Sequence, residues 1–189
     1  MHDLIPYENW LKYYKPEDDE RSPFYGKTYN FDLYTDNIYG YYIDPAWDYI
    51  GSDTLYAKLL YVDYERSTCI IEFIGEWNDA ITNDSMHLKR NVIDPLINEG
   101  INKFLLIGEN VFNFHGDDDS YYEEWFDDIE DGWICAVGFH EHVYQEWKNY
   151  GIDSYIDFGG SLELINWRTF KPAMLMERIS REFSKRLGL

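Results

Sequence analysis

The chain has few of the residues that mark several common protein classes. Of its 189 residues only two are cysteine, Cys69 and Cys135, and both lie in strand-like runs. Two isolated cysteines do not predict a disulfide framework, so we expect two buried free thiols. The longest apolar runs, such as 104–107, are far shorter than a membrane span. We therefore expect no membrane-spanning segment.

Basic residues are also scarce. Lysine and arginine number 16 against 36 aspartates and glutamates, which gives a formal net charge of -20 and a pI of about 4.4. A polyanion is repelled at long range by nucleic acids and by anionic membranes, so we expect neither as a partner. A basic protein is the partner that this charge favours, and self-association is left open. Basic residues are enriched only in the last 22 positions, which hold six bases and two acids.

The motifs of the commonest enzymes are missing. The chain has no Gly-x-Ser-x-Gly, no complete phosphate-binding loop of the form Gly-x-x-x-x-Gly-Lys-Ser/Thr and no Gly-x-Gly-x-x-Gly. The run 115–120 lacks the spacing of a calcium loop, and His140-Glu141-His142 is not the zinc motif HExxH. We expect no metal and no cofactor, and whether the chain is an enzyme stays open. The first 20 residues do not resemble an export signal, which predicts a cytoplasmic protein.

Apolar and aromatic residues are abundant. Hydrophobic residues make up 45% of the chain and aromatic residues 19%, which excludes intrinsic disorder despite the charge. A chain of this length buries roughly 70% of its unfolded surface, enough for one stable domain. Residues 1–53 show no regular period and are interrupted by four prolines, so they predict an irregular aromatic arm that packs on the domain 54–189. A short strand is predicted at 30–34.

Regular patterns begin at residue 54. Strands at 54–64 and 68–74 are separated by three residues, as in a hairpin. A helix is predicted over 78–98, with Asn78 as its N-cap, a kink at Pro95 and a stop at Gly100. Its predicted inward residues are Ile81, Leu88, Val92 and Leu96.

Strand and helix patterns then alternate. Strands are predicted at 103–107, 132–137 and 154–158, and helices at 120–129 and 141–150, the latter with Val143, Trp147 and Tyr150 inward. Ser120 and Glu123 form a capping-box pattern at the start of the first of these helices. Pro172 opens a final helix with Leu175, Met176, Ile179, Phe183 and Leu187 inward. The order predicts an α/β fold with a mixed, mainly parallel sheet flanked by helices.

Glycine follows each of four predicted strands, at Gly75, Gly108, Gly138 and Gly159. If the strands are parallel, the polar residues after these glycines gather at one edge, where open α/β sheets bind ligands. The catalytic candidates at this edge are Glu76, Asp79, Glu109, His115 and His140, and the binding candidates are Trp77, Asn78, Asn110 and Glu141. Two simpler explanations stay open: glycine eases the exit from a strand, and loops of an acidic protein carry carboxylates by chance.

The topology of residues 54–189 resembles the STAS fold of anti-sigma-factor antagonists. In that family a serine in an Asp-Ser-Ser-Gly turn, at the start of the second helix, is phosphorylated by a partner kinase. Asp119-Ser120 occupies the similar place, which makes Ser120 the phosphorylation candidate, although Tyr121 and Tyr122 replace the following Ser-Gly. The runs at 73–79 and 106–111 are also similar to an uncharacterised bacterial family, a resemblance that implies no activity.

Three functional hypotheses follow. The resemblance, the missing motifs and the aromatic arm favour a non-enzymatic interaction or regulatory module, with the tyrosines of the arm as an interface. The alternative is a small metal-assisted hydrolase with its site at the carboxyl ends of the strands. The third, an acidic decoy for nucleic-acid-binding proteins, depends on charge alone.

Overall fold

A five-stranded mixed sheet forms the centre of the fold. The computed structural model describes residues 4–186 and residue 188. Two short strands of the arm, β1 (Asn37–Ile38) and β2 (Tyr41–Tyr42), form a separate antiparallel hairpin. The main sheet contains, in spatial order, β3 (Asp48–Tyr49), β4 (Leu55–Asp63), β5 (Thr68–Asn78), β6 (Lys103–His115) and β7 (Trp133–Val137). The pairs β3–β4 and β4–β5 are antiparallel, and β5–β6 and β6–β7 are parallel, so the predicted α/β class with a mixed sheet is confirmed.

Helices connect the parallel strands. Between β5 and β6 run α1 (Asp79–Thr82), α2 (Asp84–Leu88), a π-helical turn (Lys89–Ile93) and α3 (Asp94–Asn98). α4 (Ser120–Asp128) joins β6 to β7, α5 (Glu141–Asn149) follows β7, and α6 (Pro172–Arg186) lies near the end of the chain. Single 3-10 turns occur at Glu8–Trp10, Pro16–Asp18, Ile152–Ser154, Gly160–Leu162 and Trp167–Thr169.

Side chains alternate between two buried faces of the sheet. In β5, Cys69, Ile71 and Phe73 face a core that is completed by α2 to α5, whereas Ile70 faces a second core containing Trp10 of the arm and three turns of α6. This alternation is what the period of two in a strand requires when both faces are covered. The fold is therefore a three-layer structure, with α6 and the N-terminal arm together forming one outer layer.

The arm belongs to the same structural unit as the sheet. The Trp10 indole donates to the Phe170 carbonyl at 3.2 Å, and the Tyr7 hydroxyl donates to the Arg168 carbonyl at 3.1 Å. The rings of Tyr7, Trp10 and Trp167 contact one another edge to face. Because β3 lies in the arm, the boundary drawn at residue 53 falls between two strands of one sheet.

Several predicted elements differ from the observed ones. No strand forms at 30–34, where the chain turns, and the strand at 154–158 is reduced to a single bridge between Asp157 and Cys135. The helix over 78–98 is broken at Asn83, which has a left-handed φ of 55°. The break turns Ile81 outward, where 84% of its surface is exposed, so its predicted burial is wrong.

The ends of the helices follow the predictions more closely. Asn78 caps α1, and the helical region that follows β5 ends at Gly100, whose φ is 89°. The π-helical turn ends two residues before Pro95, which has no N–H to continue an α-helical ladder. Tyr150 is 37% exposed although it was predicted inward, and Leu187 lies outside the described residues.

Two of the four glycines lie inside strands, so the prediction that β5 and β6 end at Gly75 and Gly108 is wrong. A Cβ at Gly75 would lie 2.1 Å from the Thr54 carbonyl oxygen, and a Cβ at Gly108 would lie 2.3 Å from the Phe139 ring. Both positions need glycine because another part of the chain approaches closely. Gly138 does follow β7, and all four glycines lie toward the carboxyl ends of parallel-paired segments.

Both cysteines are buried and free. Burial raises the pKa of the Cys69 and Cys135 thiols, which keeps them protonated and unreactive. Within the described part of the chain, no helix is long and apolar enough to cross a membrane.

Candidate functional site

One pair of the predicted catalytic residues meets at the carboxyl edge. Glu76 lies near the end of β5 with its side chain buried, and its Oε1 is 2.6 Å from Nε2 of His115, which ends β6. The Asn113 amide lies 3.3 Å from the same imidazole nitrogen. The His115 side chain is 46% exposed, so a buried carboxylate orients an accessible imidazole. Such a pair can transfer protons if a substrate binds beside it.

Asn78 and Asp79 belong instead to a buried capping network. The Asn78 side chain accepts from the Ile81 N–H at 3.0 Å, which caps α1. Asp79 accepts from the Ser85 N–H at 2.7 Å and from the Tyr122 hydroxyl at 2.6 Å. The two contacts of Asp79 connect α1 to α2 and α4, so the primary role of Asp79 is structural.

Asp84, which the sequence analysis did not single out, is the centre of this network. It is fully buried and accepts from the Asn78 N–H at 2.7 Å, the Thr82 hydroxyl at 2.9 Å and the Thr54 hydroxyl at 3.0 Å. No local motif marks Asp84, because one of its partners lies 30 residues away.

Asp79 should make stability depend on pH. Burial raises the pKa of Asp79 from 3.8 to about 6, although the hydrogen bonds from Tyr122 and Ser85 oppose the rise. Between these two values the folded state holds a proton that the unfolded state has lost, so the contribution of Asp79 falls as pH rises from about 4 to about 6. Replacing Asp79 by asparagine should remove this decrease in the free energy of unfolding, because asparagine does not titrate. Relative to wild type, the variant should gain roughly 2–3 kcal/mol between pH 4 and pH 7, measured by urea unfolding.

A suitable control for this prediction is Asp118→Asn. Asp118 is exposed, and the hydrogen bonds from Ser120 lower its pKa. The stability of Asp118→Asn relative to wild type should therefore not increase between pH 4 and pH 7. An Asp79→Asn stability difference that is constant from pH 4 to pH 7 would contradict the argument.

Trp77 and Glu109 do not join Glu76 at the edge. Trp77 is completely buried among aromatic rings, so it is not available to bind a ligand. The Glu109 carboxylate accepts from the Trp167 indole at 2.8 Å and forms an ion pair with Arg168. It therefore anchors the segment before α6 to the sheet.

The remaining edge candidates are separate from one another, and two of them, His140 and Glu141, are exposed. The His140 ring stacks on His142 with centroids 5.6 Å apart, and Glu141 accepts from Gln145 at 2.6 Å. Asn110 is half-buried. Among residues 4–186 and 188, no group of three or more His, Cys, Asp or Glu side chains is arranged to hold a metal ion. The predicted edge is thus one close pair and several unconnected side chains.

Ser120 does not form the predicted capping box. Its hydroxyl donates to the Asp118 carboxylate at 2.5 Å, and the Glu123 N–H bonds to the backbone carbonyl of Asp119, the residue at the N-cap position. The prediction was wrong because Asp118 forms a local Asx turn that takes the serine hydroxyl. Ser120 is exposed at the start of α4.

A second group of buried charges lies under the arm. Lys58 of β4 is 3.2 Å from Asp48 of β3 and donates to the Tyr29 hydroxyl at 2.7 Å. Glu72 of β5 accepts from the Tyr7 N–H at 2.8 Å, and burial raises its pKa to about 7. Lys58 and Glu72 are opposite each other in the β4–β5 register. The sequence does mark Lys58 and Glu72 as candidates for buried charges, since each is the single charged residue in an apolar run.

A group of exposed tyrosines lies on the hairpin of the arm. Tyr39, Tyr41 and Tyr42 are 68%, 75% and 63% exposed, whereas Ile38 is buried against Ile74 in a small core. Phe31, Leu33 and Tyr34 in the preceding turn are also exposed. We call these six exposed residues the aromatic surface: Phe31, Leu33, Tyr34, Tyr39, Tyr41 and Tyr42.

Tyr39 adopts an unfavourable backbone conformation at the tip of this hairpin. Its φ is 52°, and Gly40 follows with φ 79°, as in a type I′ turn. The first position of such a turn favours asparagine, aspartate or glycine, and another residue there costs about 1 kcal/mol. The hairpin thus accepts backbone strain while it exposes a tyrosine, a combination that suggests a functional role.

Comparisons with known proteins do not extend this description. No protein-family model matches the chain, and no curated protein matches it significantly. The STAS resemblance therefore stays a prediction from topology.

Proposed function

We propose that the protein is a non-enzymatic interaction module whose aromatic surface binds a basic protein segment. The observation that carries this proposal is the exposure of Tyr39, Tyr41 and Tyr42 on one small hairpin. Exposed aromatic clusters of this kind are typical of interfaces, because tyrosine supplies apolar area with a hydrogen-bonding end.

The charge of the arm favours one kind of partner. Residues 28–57 contain five aspartates and no lysine or arginine; one of the five, Asp48, is buried and paired with Lys58, which leaves four for a partner. Arginine and lysine side chains are attracted to these carboxylates and also bind the faces of exposed tyrosines. A segment rich in basic residues therefore complements the surface in both respects, and a cytoplasmic regulatory protein of STAS type is a compatible setting.

Removal of two tyrosines tests the proposal. The double variant Tyr41→Ser/Tyr42→Ser should weaken binding to a purified basic partner about tenfold or more, measured by calorimetric titration. Its free energy of unfolding should change by less than about 0.5 kcal/mol, because both side chains are exposed. The partner is first captured with wild-type protein and then purified for the titration.

The matched control is Tyr13→Ser/Tyr25→Ser, which removes two exposed tyrosines of the arm outside the aromatic surface. This control should bind like wild type, and wild-type binding should weaken as salt is raised. Equal binding by both double variants, or a captured partner without a basic segment, would refute the proposal.

The alternative is a metal-assisted hydrolase, and the contact between Glu76 and His115 is the observation that favours it. Two ligands alone leave a metal site incomplete compared with the three protein ligands that are usual in catalytic zinc sites. The decisive test is thermal unfolding with and without zinc or manganese. A stabilisation that disappears in His115→Ala would favour the hydrolase over the interaction module.

A further inference from the structure

A cleft with basic walls lies at the edge of the sheet where β5 and β6 begin, whereas Glu76 lies near the other end of β5. The cleft occupies about 360 Å³ between α6 and the amino-terminal ends of β5 and β6. Its basic and hydroxyl-bearing lining residues are Arg66, Thr68, Lys103, Ser180 and Arg181, and the others are Ala173, Met176 and Glu177. This volume accommodates a small organic molecule.

The charge of the cleft is opposite to that of the whole chain. Three bases and one acid line it, in a protein with a net charge of -20. In the part of the chain that the structure describes, neither Lys103 nor Arg181 has a carboxylate within 4.0 Å. The cleft therefore carries unneutralised positive charge, which attracts an anion.

Arg66 is already paired, and its pairing shows where an anion fits. Its guanidinium lies 3.4 Å from the Glu177 carboxylate and 3.9 Å from that of Asp63. Glu177 is 59% exposed at its side chain, so it can rotate into solvent at little cost. The Glu177 carboxylate thus occupies a position at Arg66 that a ligand anion would take over.

The floor of the cleft has an unused polar group. Thr68 is 5% exposed, and its hydroxyl has no hydrogen-bond partner among the described residues. A buried hydroxyl without a partner costs about 1–3 kcal/mol, a cost that a ligand oxygen would remove once the Thr68 side chain rotates toward the cleft. Met176 and Ala173 add an apolar wall.

We propose that this cleft binds a small organic phosphate, with its phosphoryl group held by Arg66, Lys103 and Arg181 and its apolar part against Met176. Arginine presents a planar fork that matches phosphoryl oxygens, and lysine adds a mobile point charge. The inference is independent of the aromatic surface, which lies on the arm.

Phenyl phosphate is a suitable probe, measured by isothermal titration. Lys103→Met and Arg181→Gln should each weaken its binding about tenfold, because each removes one charge-assisted contact. Glu177→Gln should tighten binding about threefold or more, because it removes the competing carboxylate. A variant that merely unfolded could not produce this gain.

Two comparisons complete the experiment. Lys185→Gln removes a base of the same helix outside the cleft and should leave binding within about twofold of wild type. Phenyl phosphate should bind more tightly than inorganic phosphate, and phenol should not bind. Absence of phenyl phosphate binding at about 10 mM, or binding that Lys103→Met, Arg181→Gln and Glu177→Gln leave unchanged, would overturn the proposal.

Discussion

Replacement of Lys58 by methionine is expected to reduce the free energy of unfolding by about 3 kcal/mol. The Lys58 ammonium is buried between Asp48 and the Tyr29 hydroxyl, and its Nζ lies 4.1 Å from the centroid of the Tyr29 ring. Without it, the fully buried Asp48 carboxylate keeps, among the described residues, only the Tyr29 hydroxyl and the half-buried Lys27 as partners. Unfolding in urea, followed by far-UV circular dichroism, measures the loss.

A double variant separates charge imbalance from lost packing. Lys58→Met/Asp48→Asn removes both buried charges, and it should be more stable than Lys58→Met by about 1 kcal/mol or more. The single variant should also be cleaved faster by trypsin after Lys27, since the contact of Tyr29 with Lys58 and Asp48 is weakened. A Lys58→Met stability within about 0.5 kcal/mol of wild type would show that the pair does not hold the arm.

Replacement of Trp77 by alanine is expected to cost about 3–5 kcal/mol, a large fraction of the stability of an ordinary domain. Trp77 has no exposed surface, and its ring lies 5.2 Å from Phe73 and 5.9 Å from Trp147 between centroids. Alanine would leave a cavity that these rigid rings cannot fill. Urea unfolding measures the effect.

The neighbouring residue Ile81 supplies the control for Trp77. Ile81→Ala removes an apolar side chain that is 84% exposed, so stability should change by less than about 0.5 kcal/mol. Trp77→Phe should lose less than Trp77→Ala because the phenyl ring fills part of the space. If Trp77→Ala were as stable as wild type, the tryptophan would be outside the core and its predicted binding role would return.

The sequence predicted the order of the elements well but not their limits. The hairpin β4–β5 and the parallel strands β6 and β7 follow from continuous apolar runs, which are a strong local signal. The continuation of β5 beyond Gly75 depends on Thr54, whose carbonyl accepts from the Glu76 N–H at 2.8 Å. That contact joins segments more than 20 residues apart, and no local pattern encodes it.

The candidate site shows the same division. The placement of Glu76 and His115 on one edge follows from parallel pairing, which the pattern predicted. Their direct contact depends on two register shifts between β5 and β6, each of which adds one residue to β6. Because side chains alternate along a strand, one extra residue changes which of them face each other. The sequence alone does not reveal such shifts, nor the partners that make Asp79 structural.

The outer layer shared by the arm and α6 has a consequence for synthesis. The bond from Trp10 to Phe170 joins residues 160 positions apart. At a translation rate of roughly 5–20 residues per second, about 8–30 s pass between the synthesis of Trp10 and the synthesis of Phe170. During that interval Ile70 and Leu105 of the sheet lack the cover that α6 later provides. The nascent chain therefore exposes this apolar face of the sheet until α6 has been made, which gives holdase chaperones a binding target.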